Sequence, residues 1–221
     1  MKAMLLAAGR GERLRPLTDD LPKPLVKANG KALIEYHLEN LHKSGINEVV
    51  INTCWKGEKL VEYLGNGRRY GVNISYRHES TALETAGGVA NALDLLGDHP
   101  FLLISADIWC NADLSSLIEN AGQQLAHIML VENPAHHPDG DFSLQGDFVL
   151  PKTTNSFTYS GVGIYSPDLF RNLPKGAVPL LTVLMAAMAR KQITGKVHDG
   201  SWFDIGTTER LAALQKFLRV S

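Results

Sequence analysis

Two glycines, an arginine and a lysine follow the first apolar segment of the chain. The run is Leu5-Leu6-Ala7-Ala8-Gly9-Arg10-Gly11-Glu12-Arg13-Leu14-Arg15-Pro16, and Leu21-Pro22-Lys23-Pro24-Leu25 comes shortly after it. A glycine turn lets backbone N–H groups approach a polyphosphate, and Arg13 and Lys23 can neutralise its charge. Two carboxylates could complete such a site. Asp107 ends the apolar run Phe101–Ala106, and Asp204 lies in Trp202-Phe203-Asp204-Ile205-Gly206-Thr207. One carboxylate apiece, together with phosphate oxygens, is a usual way to hold Mg²⁺. Each piece alone has a plainer reading, as a tight turn with solvated bases or as capping and turn aspartates.

The glycine turn is neither of the two commonest phosphate loops. A dinucleotide fingerprint needs a third small residue where Leu14 stands and an acid at the end of the second strand, which closes on Asn52 instead. A P-loop needs Gly-Lys-Ser/Thr, whereas Lys23 lies between prolines. The formal net charge of −1 argues against a general nucleic-acid binder and points to a small molecule met at a local cluster. Two cysteines, Cys54 and Cys110, make no disulfide framework, so a reducing cytoplasm is expected. No apolar run reaches the roughly 20 residues that span a bilayer, and Met1-Lys2 runs directly into a core strand, so no signal peptide is expected.

The elements that must position these residues alternate. Lys2–Ala8, Glu48–Asn52, Asn73–Arg77, Phe101–Ser105 and His127–Glu132 read as strands, mostly continuous in apolar residues as in a parallel sheet buried on both faces. Ala32–Lys43 places Leu33, Ile34, His37, Leu38 and Leu41 on one helical stripe, and Glu58–Leu64, Gly87–Leu96 and Leu114–Gln124 are further helices, the last with Asp113 as N-cap. The expected class is α/β, a doubly wound, Rossmann-like, mostly parallel sheet. After Glu132 come a loop from Asn133 to Asp141, a hairpin of Phe142–Leu144 and Phe148–Leu150, a strand over Phe157–Tyr165, and helices over Leu180–Arg190 and Thr208–Leu218. The 221 residues are expected to form one domain, with 1–132 as the nucleotide-binding part and 133–221 as a small acceptor-binding lobe.

The string G-x-G-x-R-L-x-P with a trailing P-K-P-L resembles the signature of sugar-phosphate nucleotidyltransferases, and three later strings match in order over nearly the whole chain. The resemblance implies the nucleotidyltransferase fold and assigns the Ala7-Ala8-Gly9-Arg10-Gly11 turn to the nucleotide. Arg13 would hold the departing phosphates and Lys23 the α-phosphate and acceptor phosphate, while Asp107 and Asp204 would bind Mg²⁺. Glu79, Thr85 and Gly87 would frame the base, and Tyr159 and Gly161 the acceptor sugar. Within the family, the short length, E-T-A-G-G, the His136-His137 loop and Y-S-G-V-G-I-Y look most like members that transfer a uridylyl group from UTP to N-acetylmuramic acid α-1-phosphate in peptidoglycan recycling. The expected partners are UTP and a sugar 1-phosphate, with neither nucleic acid nor membrane, and a monomer is favoured.

The chain departs from that pattern in places. A carboxylate at Glu79 accepts hydrogen bonds and so suits guanine better than uracil, which keeps a mannose-1-phosphate guanylyltransferase using GTP as the rival reading. Glu84 replaces the usual glycine before Thr85. The Glu-Lys-Pro sugar motif is absent, leaving Lys152 as its weak substitute. His136, His137, Asp139 and Asp141 fit no closed zinc site and read as a solvated loop near the acceptor pocket. Trp55 and Trp109 read as packing residues. A non-catalytic nucleotide-sugar sensor is the alternative outside enzymology, against which the intact Arg13, Lys23, Asp107 and Asp204 set counts. A dinucleotide-binding oxidoreductase is a distant third.

Overall fold

Ala3–Leu6 forms β1 near the middle of a nine-stranded sheet in the computed structural model, which describes residues 1–220. A small ribbon of β2 (Lys27–Ala28) and β3 (Lys31–Ala32) precedes α1 (Leu33–Lys43). The alternation continues through β4 (Glu48–Thr53), α2 (Gly57–Leu64), β5 (Asn73–His78), α3 (Glu84–Asn91), α4 (Leu93–Leu96) and β6 (Phe101–Ser105). The second half holds β7 (Ile108–Cys110), α5 (Leu114–Glu119), β8 (Ala126–Val131), β9 (Phe142–Gln145), β10 (Phe148–Pro151) and β11 (Thr158–Tyr165). It closes with α6 (Leu180–Met188), β12 (Ile193–Val197), β13 (Trp202–Asp204) and α7 (Thr208–Leu218).

The sheet order is β5-β4-β1-β6-β11-β8-β12-β10-β9, and only β10 and β11 run against the rest. Register sets the site. Leu6 pairs with Asn52 on one side and with Ser105 on the other, so β1, β4 and β6 end level. Antiparallel β11 sets Val162 against Ile104, which brings Gly161 to that same end. The carboxyl end of a parallel sheet is where open α/β folds bind ligands.

Burial follows the apolar pattern. Leu33, Ile34, His37, Leu38 and Leu41 are the buried face of α1. One apolar cluster, with Ile34, Leu38 and Leu60, covers one face of the sheet; another, with Val89, Phe101, Tyr165 and Leu184, covers the other. A third joins Leu14 and Val26 to Ile205, Leu211 and Leu214 of the C-terminal segment. Asp113 caps α5 through its Oδ1, which accepts from the Ser115 and Ser116 amides.

Several elements differ from the sequence expectation. The helix expected over Gly87–Leu96 begins earlier, at Glu84, and breaks at Ala92 into α3 and α4. The helix expected to reach Gln124 stops at Glu119, where the Asn120 amide donates to the Ser116 carbonyl at 2.6 Å and ends the turn. Strand β12 was not expected at all. Gly195 interrupts its apolar alternation, yet a Cβ there would come within 2.8 Å of the Ile128 carbonyl and of Val149, so the close approach of neighbouring strands requires glycine. The β7–β13 ribbon was not expected either.

Candidate active site

The glycine turn sits directly beyond β1 and is shaped by side chains beneath it. Gly11 has φ 70°, and a Cβ there would lie 2.9 Å from Cβ of Lys23, so the turn closes onto the lysine stem only without a side chain. The Thr18 hydroxyl donates to the Gly11 carbonyl at 2.8 Å and fixes the turn from the far side. A short 3₁₀ turn over Lys23–Leu25, flanked by Pro22, buries the lysine to 8% exposure and aims its amine at Asp107. The amine lies 2.5 Å from Asp107 Oδ2. Arg13 is exposed and makes no hydrogen bond or ion pair among the described residues, so its guanidinium is free to bind.

Asp107 and Asp204 are brought together by the ribbon. Asp107 immediately precedes β7, Asp204 is the last residue of β13, and Asp204 pairs opposite Ile108. The Ile205 amide donates to the Asp107 carbonyl at 2.7 Å. The ribbon is tied to the sheet by Trp202, whose Nε1 donates to the Ser160 carbonyl at 2.8 Å. Asp204 is held by Arg210 from the first turn of α7 and by His136 Nε2 at 3.0 Å. Both aspartate side chains keep solvent access, 44% and 29%, and present hard oxygen donors. No group of three or more metal-binding side chains occurs among the described residues. Two carboxylates with phosphates and water fit Mg²⁺, which retains several such ligands, and do not fit a closed zinc site.

Asn52 and Glu79 form the other wall. The Ala7 amide donates to Asn52 Oδ1 at 2.8 Å, Asn52 Nδ2 donates to Glu79 Oε1 at 2.8 Å, and the Leu83 amide donates to Glu79 Oε2 at 3.3 Å. Burial pushes the Glu79 carboxyl above its ordinary range, while the hydrogen bonds from Asn52 and Leu83 pull it back. Glu79 is 3% exposed, and both of its oxygens are engaged by the protein.

Two cavities open at this sheet end. The first, about 690 Å³, is lined by Ala7, Ala8, Gly9, Gly11, Lys23, Asn52, Glu79 and Glu84 among others. The second, about 680 Å³, is walled by His136, His137, Tyr159, Gly161, Leu181, Trp202, Asp204 and Arg210. Arg13, Thr85, Ser105 and Asp107 line both. The two cavities therefore meet at these four residues.

Most of the residues singled out by sequence therefore converge. Two do not. Gly87 is turned away from the nucleotide cavity: its amide donates to the Val178 carbonyl at 3.1 Å, and a Cβ there would strike the Gly176 carbonyl. Lys152 is exposed beyond β10 and lines neither cavity. Tyr159 lines the second cavity, but its hydroxyl is 2.8 Å from that of Tyr165. The His136-His137 loop does border that cavity, with His137 Nε2 3.0 Å from Asp141 Oδ1. Trp109 packs against Tyr36, Phe203 and Phe217 as expected, whereas Trp55 also lies under the Arg10 guanidinium, 4.5 Å from ring centre to carbon. Sequence reasoning missed Asn52, His136, Ser105 and Arg210 as site residues. Arg210 had a legible signal: it stands one turn into the helix that follows Asp204.

The chain resembles known proteins along nearly its whole length. The nucleotidyl transferase family profile matches residues 2–220. The N-acetylmuramate alpha-1-phosphate uridylyltransferase of Neisseria meningitidis serogroup B is 48% identical, covering 97% of each chain. The Caulobacter vibrioides protein of the same description is 31% identical over 96% of this chain and 94% of its own. A mannose-1-phosphate guanylyltransferase catalytic subunit beta from Dictyostelium discoideum is 32% identical, and the chain spans 61% of its length. In three dimensions, a candidate glucose-1-phosphate thymidylyltransferase from Bacillus anthracis superposes with a TM-score of 0.89 at 23% identity, covering 99% of this chain and 95% of that one.

Proposed function

The chain belongs to the nucleotidyl transferase family, and from that premise we propose that it transfers the uridylyl group of UTP to N-acetylmuramic acid α-1-phosphate, releasing pyrophosphate and forming UDP-N-acetylmuramic acid. The observation that carries this reading is the pair of cavities meeting at Arg13, Thr85, Ser105 and Asp107, in a chain 48% identical along its length to a uridylyltransferase of that specificity. The product is a peptidoglycan precursor, which suits cell-wall recycling.

An oxygen of the acceptor phosphate attacks the α-phosphorus of UTP in line, and the bond to the pyrophosphate oxygen breaks. The attacking phosphate is already a nucleophile, so the protein's part is alignment and charge neutralisation. Lys23, which lines the first cavity and reaches Asp107 at the junction, binds the α-phosphate and the acceptor phosphate. Arg13, unpaired beside it, binds the leaving phosphates. Residues 1–132 supply most of the nucleotide cavity, and 133–221 most of the acceptor cavity. Leu180, Leu181, Leu184 and Phe142 give the acceptor side an apolar wall, opposite the polar His136, His137 and Arg210.

Enzymes of this family typically use a divalent metal. Here Mg²⁺ would be held by Asp107 and Asp204 and would offset negative charge on the phosphates when bound. A nucleoside triphosphate donor and two free cysteines support a cytoplasmic setting, and no helix among the described residues is long and apolar enough to cross a membrane.

Glu79 offers little support for GTP, since it is 3% exposed and each oxygen already accepts from the protein, one from Asn52 and one from Leu83. The test is pyrophosphate release with Mg²⁺, crossing UTP and GTP against N-acetylmuramic acid 1-phosphate and mannose 1-phosphate. Turnover confined to UTP with the muramic acceptor is expected. Turnover with GTP and mannose 1-phosphate would keep the reaction class and replace both substrates. Nucleotide binding with no pyrophosphate from any pair would favour a sensor.

A further inference from the structure

Glu84 occupies a backbone conformation that its side chain disfavours. Its φ is 59°, in the left-handed region that glycine enters freely and other residues enter at a cost. Such outliers persist where the surroundings impose them, often at ligand clamps. The residue lines the nucleotide cavity and is exposed, and its side chain makes no hydrogen bond or ion pair among the described residues. An exposed carboxylate beside a polyphosphate site is repelled by the phosphates, so a neutral hydroxyl is the part of a nucleotide it can engage.

The lining residues on either side of Glu84 in the chain point to that donor. Glu79, Asn52 and Leu83 line the nucleotide cavity and not the other, and the Leu83 amide donates to Glu79 there. Thr85 lines both cavities, at the junction where phosphoryl chemistry is placed. The chain thus steps from the base wall at Leu83 to the transfer point at Thr85, with Glu84 between them. In a nucleoside triphosphate the group between base and α-phosphate is ribose. Its vicinal hydroxyls are two donors at the spacing of one carboxylate, whereas uracil directs mainly carbonyl oxygens outward.

We propose that the Glu84 carboxylate accepts from the ribose hydroxyls of the incoming nucleotide and selects ribonucleoside over 2′-deoxyribonucleoside triphosphates. This rests on the uridylyltransferase reading. The competing account is electrostatic support of α3, since an acid in the first turn of a helix meets its positive end. That account predicts an effect on thermal stability and none on sugar discrimination.

Calorimetric binding of UTP and 2′-dUTP, together with kcat/KM for each in pyrophosphate release, separates the two in wild type, Glu84→Gln and Glu84→Gly. Glycine suits the observed φ, so Glu84→Gly should fold with unchanged or raised Tm. Wild type should favour UTP by about tenfold or more, the scale of a hydroxyl contact at an accessible site. The ratio should fall to within about threefold in Glu84→Gly and to an intermediate value in Glu84→Gln. A wild-type ratio near one, or a ratio that survives Glu84→Gly, overturns this assignment and leaves the uridylyl reading standing. If UTP fails to bind wild type at all, both fall together.

Discussion

Lys23 and Asp107 are ion-paired, Nζ 2.5 Å from Oδ2, although one follows the first strand of the sheet and the other leaves the fourth element of its parallel half. Lys23 lines the first cavity and Asp107 lines both, so the pair reaches the place where they join. Each charge is thereby oriented before any substrate arrives, and neither is compensated by other partners in the described structure. Substrate phosphates would meet the lysine, and a cation the aspartate, at one place.

Replacing Lys23 or Arg13 by alanine should lower kcat by about 10²–10⁴, the range for lost electrostatic stabilisation of a transferring phosphoryl group. Pyrophosphate release at saturating substrates measures this. Activity within tenfold of wild type in either variant would remove that residue from the assigned role. Lys23→Ala should be the less stable of the two, since it empties a buried position.

Asp204→Asn should raise the Mg²⁺ concentration for half-maximal activity by at least about tenfold, and weaken Mn²⁺ binding followed by electron paramagnetic resonance in parallel. His136→Asn should raise KM for the sugar phosphate, because His136 borders the acceptor cavity, and shift the metal titration less than Asp204→Asn does, because it only orients that carboxylate. An unchanged titration in Asp204→Asn would exclude the residue as a ligand.

Glu79→Gln should destabilise the protein by about 1–3 kcal/mol, because an amide N–H₂ then faces a donor from Asn52 or Leu83. The UTP-to-GTP preference should stay within about threefold of wild type. A large swing in that preference would show that Glu79 reads the base after all, with denaturant unfolding as the companion measurement.

Acid should destabilise the fold through His37. Burial pushes its imidazole down to about 4, so the folded state keeps it neutral. The unfolded chain takes up the proton near pH 6.5, which favours unfolding as pH falls from 6.5 towards 4. The contribution is up to about 3 kcal/mol, fully present above pH 6.5 and lost across that window. His127 is shifted the same way by burial and adds to the slope. Urea unfolding against pH should show the fall, and His37→Leu should flatten it. An equal slope in that variant would assign the acid sensitivity elsewhere.

Much of the fold was legible in the residues themselves. The α1 stripe, the Asp113 cap and the core strands follow from periodicity and capping chemistry, which act within a few residues. The convergence of Arg13, Lys23 and Asp107 was legible because strand ends in a parallel sheet lie level. What escaped depends on distant partners. Gly195 conceals β12 because the need for glycine comes from Ile128 and Val149 on neighbouring strands. Gly87 reads as a ligand contact until Gly176 and Val178 are seen against it. Arg210 and His136 acquire meaning only once the β7–β13 ribbon sets Asp204 beside Asp107.

The relay from the Ala7 amide through Asn52 and Glu79 to the Leu83 amide joins three strand ends and the loop before α3 without any ligand. A pocket wall fixed in this way loses its conformational freedom when the chain folds, not when a nucleotide binds. Affinity at this wall then reflects contacts alone, and a ligand of the wrong shape meets a rigid boundary that does not adjust to it.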